Sequence, residues 1–145
     1  MERVLVVDDD PDIRKLLCEL LRLSGFVAQP MASGVEALGH LDTVADDDMP
    51  ALVLLDVQMP EMDGWSTLQR IRSNHRVRDV RVVLCTVKAS DEDLDRGWSL
   101  GCDGYVAKPF AIAELVREVH AVLDRPEQER AAHRWAARQA LVMKA

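Results

Sequence analysis

The stretch Ala51-Leu52-Val53-Leu54-Leu55-Asp56-Val57-Gln58-Met59-Pro60-Glu61-Met62-Asp63-Gly64 decides how the rest of the chain is read. Its first five residues are apolar, too few for a helix, and Pro50 and Pro60 bound them; this is the pattern of a strand buried on both faces in a parallel sheet. The run ends on Asp56. An unpaired buried carboxylate is costly, so Asp56 has to meet either water or a compensating cation.

On the N-terminal side, the apolar run Val4 to Val7 stops at Asp8-Asp9-Asp10, and Pro11 opens a segment with Ile13, Leu16, Leu17, Leu20 and Leu21 at helical spacing, closed by Gly25. Phe26 to Met31 reads as a second strand, and Ser33 with Glu36 three residues later signals a capped helix through Leu41, followed by an acidic loop, Asp46 to Asp48. On the C-terminal side, Asp63-Gly64 turns into a helix carrying Trp65, Leu68 and Ile71, and Val80 to Cys85 is a fourth strand. Ser90-Asp91-Glu92-Asp93 is a capped, acid-rich first turn of a helix with Leu94 and Trp98 that ends at Gly101. Gly104 to Ala107 is a fifth strand, broken by Lys108-Pro109, and Ile112, Leu115, Val116, Val119 and Val122 or Leu123 mark a fifth amphipathic helix. Strict alternation of this kind predicts an α/β domain with a doubly wound five-stranded parallel sheet, helices on both faces, and ligands gathered beyond the carboxyl ends of the strands.

With 145 residues, 48% hydrophobic and 30% charged, the chain fits one domain, residues 1–124, followed by a tail or linker over 125–145. That tail is rich in Ala and Arg and is read as an extra C-terminal helix, packed loosely or pointing into solvent, with Ala132, Trp135, Gln139 and Val142 on one side. A sharper reading makes it a connection toward an output domain or a dimer contact through Trp135. The net charge of −7 argues against direct nucleic-acid binding, and no apolar run approaches a membrane span. Without a targeting segment the expected location is cytoplasmic, where Cys18, Cys85 and Cys102 are expected as buried, reduced thiols. His40, His75, His120 and His133 lack ligand spacing and are read as surface residues.

With the strands ordered 2-1-3-4-5, their carboxyl ends deliver Asp8 and Asp9, Asp56, Thr86 and Lys108 to one shallow site. Three carboxylates so close repel one another unless a cation sits among them, and hard oxygen ligands with room for water suit Mg²⁺. Such a site fits a metal and a phosphoryl group. Asp56 is then the candidate nucleophile, because a carboxylate can accept a phosphoryl group and needs no general base. Lys108 supplies charge and Thr86 a hydroxyl, while Gln58 offers its backbone carbonyl to the metal and its side chain over the phosphate. Singly, Asp9 could be a loop acid, Thr86 a strand-end cap and Lys108 a surface lysine; their convergence on one edge argues otherwise.

These motifs are Val7-Asp8-Asp9 with Arg14, Leu55-Asp56-x-x-Met59-Pro60-x-Met62-Asp63-Gly64, Thr86, and Gly101-x-Asp103-x-Tyr105-x-x-Lys108-Pro109-Phe110. Over residues 3 to about 124 the chain thereby resembles the receiver domains of two-component response regulators. The resemblance implies a flavodoxin-like sheet and phosphorylation of Asp56 by a phosphohistidine on a sensor kinase or phosphotransfer protein. It further implies Mg²⁺ held by Asp8, Asp9, Asp56 and the Gln58 carbonyl, Thr86 and Tyr105 as the switch pair, and a cis Lys108–Pro109 peptide. It also implies a signalling face made of the fourth helix, fifth strand and fifth helix, through which a homodimer could form, as it could through the C-terminal helix.

The residue after the switch threonine is normally Ala or Gly in that family and is Val87 here, where its branched side chain would overhang the phosphate and modulate access. Gly39 and Trp98 are further departures; Trp98, near the signalling face, is read as a half-buried packing residue rather than a partner contact. Two other readings compete. A phosphohydrolase of the haloacid dehalogenase type would carry a second aspartate two residues after the nucleophile, where this chain has Gln58, and a degenerate receiver would have lost one of the acidic pair, Asp56 or Lys108.

Overall fold

The computed structural model describes residues 2–144. Five parallel strands, β1 (Arg3–Val7), β2 (Val27–Met31), β3 (Leu52–Leu55), β4 (Arg81–Thr86) and β5 (Gly104–Ala107), form one sheet in the order β2-β1-β3-β4-β5. They alternate with α1 (Pro11–Leu23), α2 (Gly34–Thr43), α3 (Gly64–Ser73), α4 (Asp91–Leu100) and α5 (Ile112–Asp124). The acidic segment Asp46–Asp48 is a single 3₁₀ turn rather than open loop, and α6 (Arg130–Met143) follows a second such turn. Helix starts follow their caps: Asp10, Ser33, Asp63 and Ser90 each accept backbone N–H bonds from the first turn of α1, α2, α3 and α4.

The period of two along each strand splits the core into two layers. Leu5, Val7, Val53, Leu55, Val82 and Leu84 face α2 and α3 with Ala37, Leu41, Leu68 and Ile71. Val4, Val6, Leu52, Leu54, Val83 and Cys85 face α1 and α5 with Leu17, Leu21, Leu115, Val119 and Val122. A central strand buried on both sides therefore needs the unbroken apolar run seen in β3. Its register, Val7 beside Leu55 and Leu55 beside Leu84, brings the residues that follow β1 and β3, and those ending β4, to one edge.

Three sequence readings change. All three cysteines are buried and free, as expected, but two histidines are not surface residues: His40 Nε2 is buried without a partner, and His133 packs edge-on against Trp98, ring centroids 5.6 Å apart. Trp98 is thus a packing residue between α4 and α6. Nor is α6 loose. It lies back on α4, with the Arg130 side chain 5% exposed and ion-paired to Asp103. The side carrying Trp135 and Val142 is the one left to solvent, because α6 buries its arginine face against acids rather than its apolar side against the core. Among the described residues no helix is long and apolar enough to cross a membrane.

Candidate functional site

The three consecutive aspartates after β1 divide three tasks. Asp8, 1% exposed, stays at the sheet edge, where its Oδ1 accepts the Asp10 N–H (3.0 Å) and its carbonyl accepts from Arg14 (2.7 Å). Asp10 turns away and caps α1 through the Asp12 and Ile13 N–H groups, and Asp9 is left exposed at the mouth. Asp56 follows β3 directly; its N–H donates to the Val7 carbonyl (3.0 Å), which ties it to the end of β1. The loop after Asp56 folds back tightly. A side chain on Gly64 would put its Cβ 2.3 Å from the Asp56 carbonyl oxygen, so only glycine permits α3 to start there.

Asp8, Asp9 and Asp56 can each place one carboxylate oxygen within 4.8 Å of the other two. Lys108, delivered by the turn after β5, enters between two of them, its Nζ 2.6 Å from Asp8 Oδ2 and 3.2 Å from Asp56 Oδ2. Its peptide to Pro109 is cis. Gln58 lies on the rim with its N–H 3.2 Å from Asp56 Oδ1.

Electrostatically the site is short of positive charge. Burial pushes the Asp56 carboxyl above its usual range, Lys108 opposes this, and Asp8 adds to it. Burial alone would lower the Lys108 ammonium; its hydrogen bond to Asp8 and the charges of Asp56 and Asp8 outweigh that and hold it above its ordinary value. One lysine shared among three acids leaves the donor set of a divalent oxygen-seeking cation, and the residues fit Mg²⁺: carboxylate oxygens converging on one point, one of them on an exposed side chain with access for water.

Thr86 and Tyr105 meet through a third residue. The buried Thr86 hydroxyl accepts the Lys88 N–H (3.2 Å), and the Tyr105 hydroxyl donates to the Lys88 carbonyl. The Tyr105 ring lies over Gly97 of α4, where a Cβ would come within 2.9 Å of it. Val87, 59% exposed, does not seal the site. It lines one wall of an open groove of about 550 Å³ whose other walls are Ile13, Leu16, Leu20, Phe110 and Ile112, with Asp56 and Lys108 at its polar end.

All the sequence-derived candidates, Asp8, Asp9, Asp56, Gln58, Thr86, Val87, Tyr105 and Lys108, thus lie at or beside one edge of the sheet. Reasoning from sequence missed Lys88, whose role is played by its backbone, and Asp103, which it quoted within a motif without a role. Asp103 sits at the opposite edge, before β5, accepting the Val82 N–H (3.0 Å) and bonds from Arg72 (2.9 Å), Arg130 (2.7 Å) and Arg134 (3.1 Å). An acid wedged between Cys102 and Gly104 at the mouth of a buried strand, with arginines at i and i+4 in the tail, was the available signal.

A family model described as the response regulator receiver domain matches residues 4–120. The DNA-binding dual master transcriptional regulator RpaA of Synechocystis is 32% identical over 128 residues, 88% of this chain and 52% of that protein. The transcriptional regulatory protein CpxR of Escherichia coli is 39% identical over 125 residues, 86% of this chain and 50% of that protein. The chain spans about half the length of these relatives. Among solved structures, the chemotaxis protein CheY4 of Vibrio cholerae superimposes with a TM-score of 0.77 at 27% identity, over 84% of this chain and 98% of that one. The response regulator TrrA of Thermotoga maritima, in complex with Mg²⁺ and BeF, gives 0.73 at 33% identity, over 84% and 99%.

Proposed function

The chain belongs to the response regulator receiver family of two-component signalling, and from that premise we propose that Asp56 accepts a phosphoryl group from a phosphohistidine on a sensor kinase or phosphotransfer protein. The observation that carries the reading is the charge imbalance at the sheet edge: three carboxylates, one lysine, and an Asp56 carboxyl that burial makes costly to leave ionised and unscreened.

An Asp56 oxygen attacks the phosphorus, the P–N bond breaks as the O–P bond forms, and the departing imidazole keeps the electron pair and takes up a proton. Lys108, already within reach of Asp56, neutralises a phosphoryl oxygen. Asp8, Asp9 and Asp56, with the Gln58 carbonyl, would hold Mg²⁺, which when bound screens the phosphoryl charge. Thr86 turns its hydroxyl to another phosphoryl oxygen, and in doing so gives up its bond to Lys88. The groove walled by Ile13, Leu16, Leu20, Val87 and Phe110 leads to Asp56 and suits an apolar surface beside the donor's phosphohistidine. The protein is a signalling phosphoacceptor whose only catalysis is on itself, with the face of α4, β5 and α5 as its readout. A cytoplasmic location follows from such a donor. The proposal is confined to the receiver; the DNA binding named for RpaA belongs to a protein twice as long as the matched segment.

The competing hydrolase reading lacks support at Gln58, which is exposed at the rim where that chemistry puts an acid. The test is intact mass after incubation with Mg²⁺ and acetyl phosphate, phosphoramidate or a cognate kinase. The native chain gains one phosphoryl group and Asp56→Asn gains none; no gain with any donor removes the reading.

A further inference from the structure

The chain carries its charge unevenly. Residues 125–145 hold five Lys and Arg against two Glu, whereas residues 1–124 hold thirteen basic against twenty-three acidic residues. The basic segment is folded onto the acidic body. From its N-terminus, α6 places Arg130 and Arg134 on Asp103, His133 on Trp98, Arg138 on Asp95 (2.8 Å) and Lys144 on Asp91 (3.5 Å). Asp91, Asp95 and Trp98 all belong to α4, so α6 lies on a helix of the face that is to be read out.

The two ends of this contact differ. Arg130 is buried, pairs with a buried acid, and is further held by Glu127 and the Asp79 carbonyl. The pairs at Asp95 and Asp91 are exposed, with side chains 45% to 65% accessible; pairs of that kind contribute little each and are screened by salt. The weak end is also the end next to the switch. Lys88, held through its N–H by Thr86 and through its carbonyl by Tyr105, stands two residues before Ser90, the α4 cap, and three before Asp91. Tyr105 in turn packs on Gly97, the neighbour of Trp98.

We propose that α6 is a latch that covers α4 in the unphosphorylated protein and opens from its C-terminal end when Asp56 is phosphorylated, with the Arg130–Asp103 pair as the hinge. When Thr86 turns to the phosphoryl group the Lys88 segment is freed, the first turn of α4 shifts, and the Asp91 and Asp95 pairs are the first to part. What is uncovered is an acidic helix face with an indole toward its C-terminal end, which fits a partner helix carrying basic residues one turn apart, as α6 itself does. The inference rests on the phosphoacceptor reading above.

Hydrogen exchange on the full chain tests both and separates them. After phosphorylation confirmed by intact mass, amides of residues 138–143 should exchange on the order of tenfold faster while those of β3 and β4 are unchanged. Arg138→Glu, which sets two acids together, should open the same segment without phosphorylation, and adding Asp95→Arg should close it again. A phosphoryl gain with unchanged exchange in 138–143, or with faster exchange throughout the core, overturns the latch and leaves the receiver reading intact. Failure to restore protection in the double variant also overturns the latch. No phosphoryl gain from any donor overturns both.

Discussion

Two buried aspartates, Asp56 and Asp103, stand at opposite edges of the same sheet and are treated in opposite ways. At Asp56 three carboxylates converge and a single lysine pairs with two of them, and burial raises the Asp56 carboxyl above its usual range. At Asp103 one carboxylate, 2% exposed, is met by Arg72, Arg130 and Arg134 and by a backbone N–H. A carboxylate whose partners are complete can do no more than hold the structure together. One left short of positive charge stands ready to take up a cation or an electrophile, and that shortage marks the candidate functional edge more clearly than burial does.

The comparison can be broken most directly at Asp103. Asp103→Asn leaves the largely buried Arg72 without a counter-charge and the buried Arg130 with only the exposed Glu127, and should cost about 3 kcal/mol in urea unfolding, since removing one partner strands buried charge. The opposite edge should respond to metal instead. Mg²⁺ at ten times its dissociation constant should stabilise the native chain by about 1.4 kcal/mol, an effect lost in Asp9→Asn and read as a shift in Tm.

Next in size is the relief of repulsion at Asp56. With chelator present, Asp56→Asn should be more stable than the native chain at neutral pH, because burial and the Asp8 charge make the ionised carboxylate costly. Because the folded protein binds the Asp56 proton more tightly than the unfolded chain does, ionising it costs folding free energy. That cost appears as pH rises from the unfolded value of about 4 through the raised folded value. The gap between the two proteins should therefore be small at low pH, widen across that window and then stay constant. A gap that does not change with pH would mean that Asp56 carries no such burden.

The smallest effect is expected at Val87, which lines the groove without closing it. Val87→Ala should speed phosphorylation by acetyl phosphate, or loss of the phosphoryl group, by about two- to fivefold, under 1 kcal/mol of barrier. Equal rates would assign the residue to the groove wall alone.

The candidate phosphoacceptor edge was legible in the sequence because each of its parts is local. An apolar run of four or five residues bounded by turn residues and alternating with helical segments reads as a doubly buried strand, and the polar residue that ends it lands at the carboxyl edge of the sheet. Asp8, Asp56, Thr86 and Lys108 could thus be placed by counting. Lys88 could not, because it contributes a peptide group, and every residue has one. Asp103 and α6 escaped for another reason: an Ala- and Arg-rich segment has a helical period but no apolar stripe wide enough to say where it docks.

What the sequence determined by itself is the alternation of strands and helices, the sheet covered on both faces and the identity of the groups at the carboxyl edge, because these follow from periodicity and from where apolar runs end; the strand order came with the family resemblance and is seen in the sheet. The tertiary structure alone decided that α6 lies on α4, that His133 is a packing residue against Trp98, and that Asp103 is fully neutralised. Those contacts join residues tens of positions apart through charge pairs, and an ion pair leaves no periodic trace in the chain that forms it.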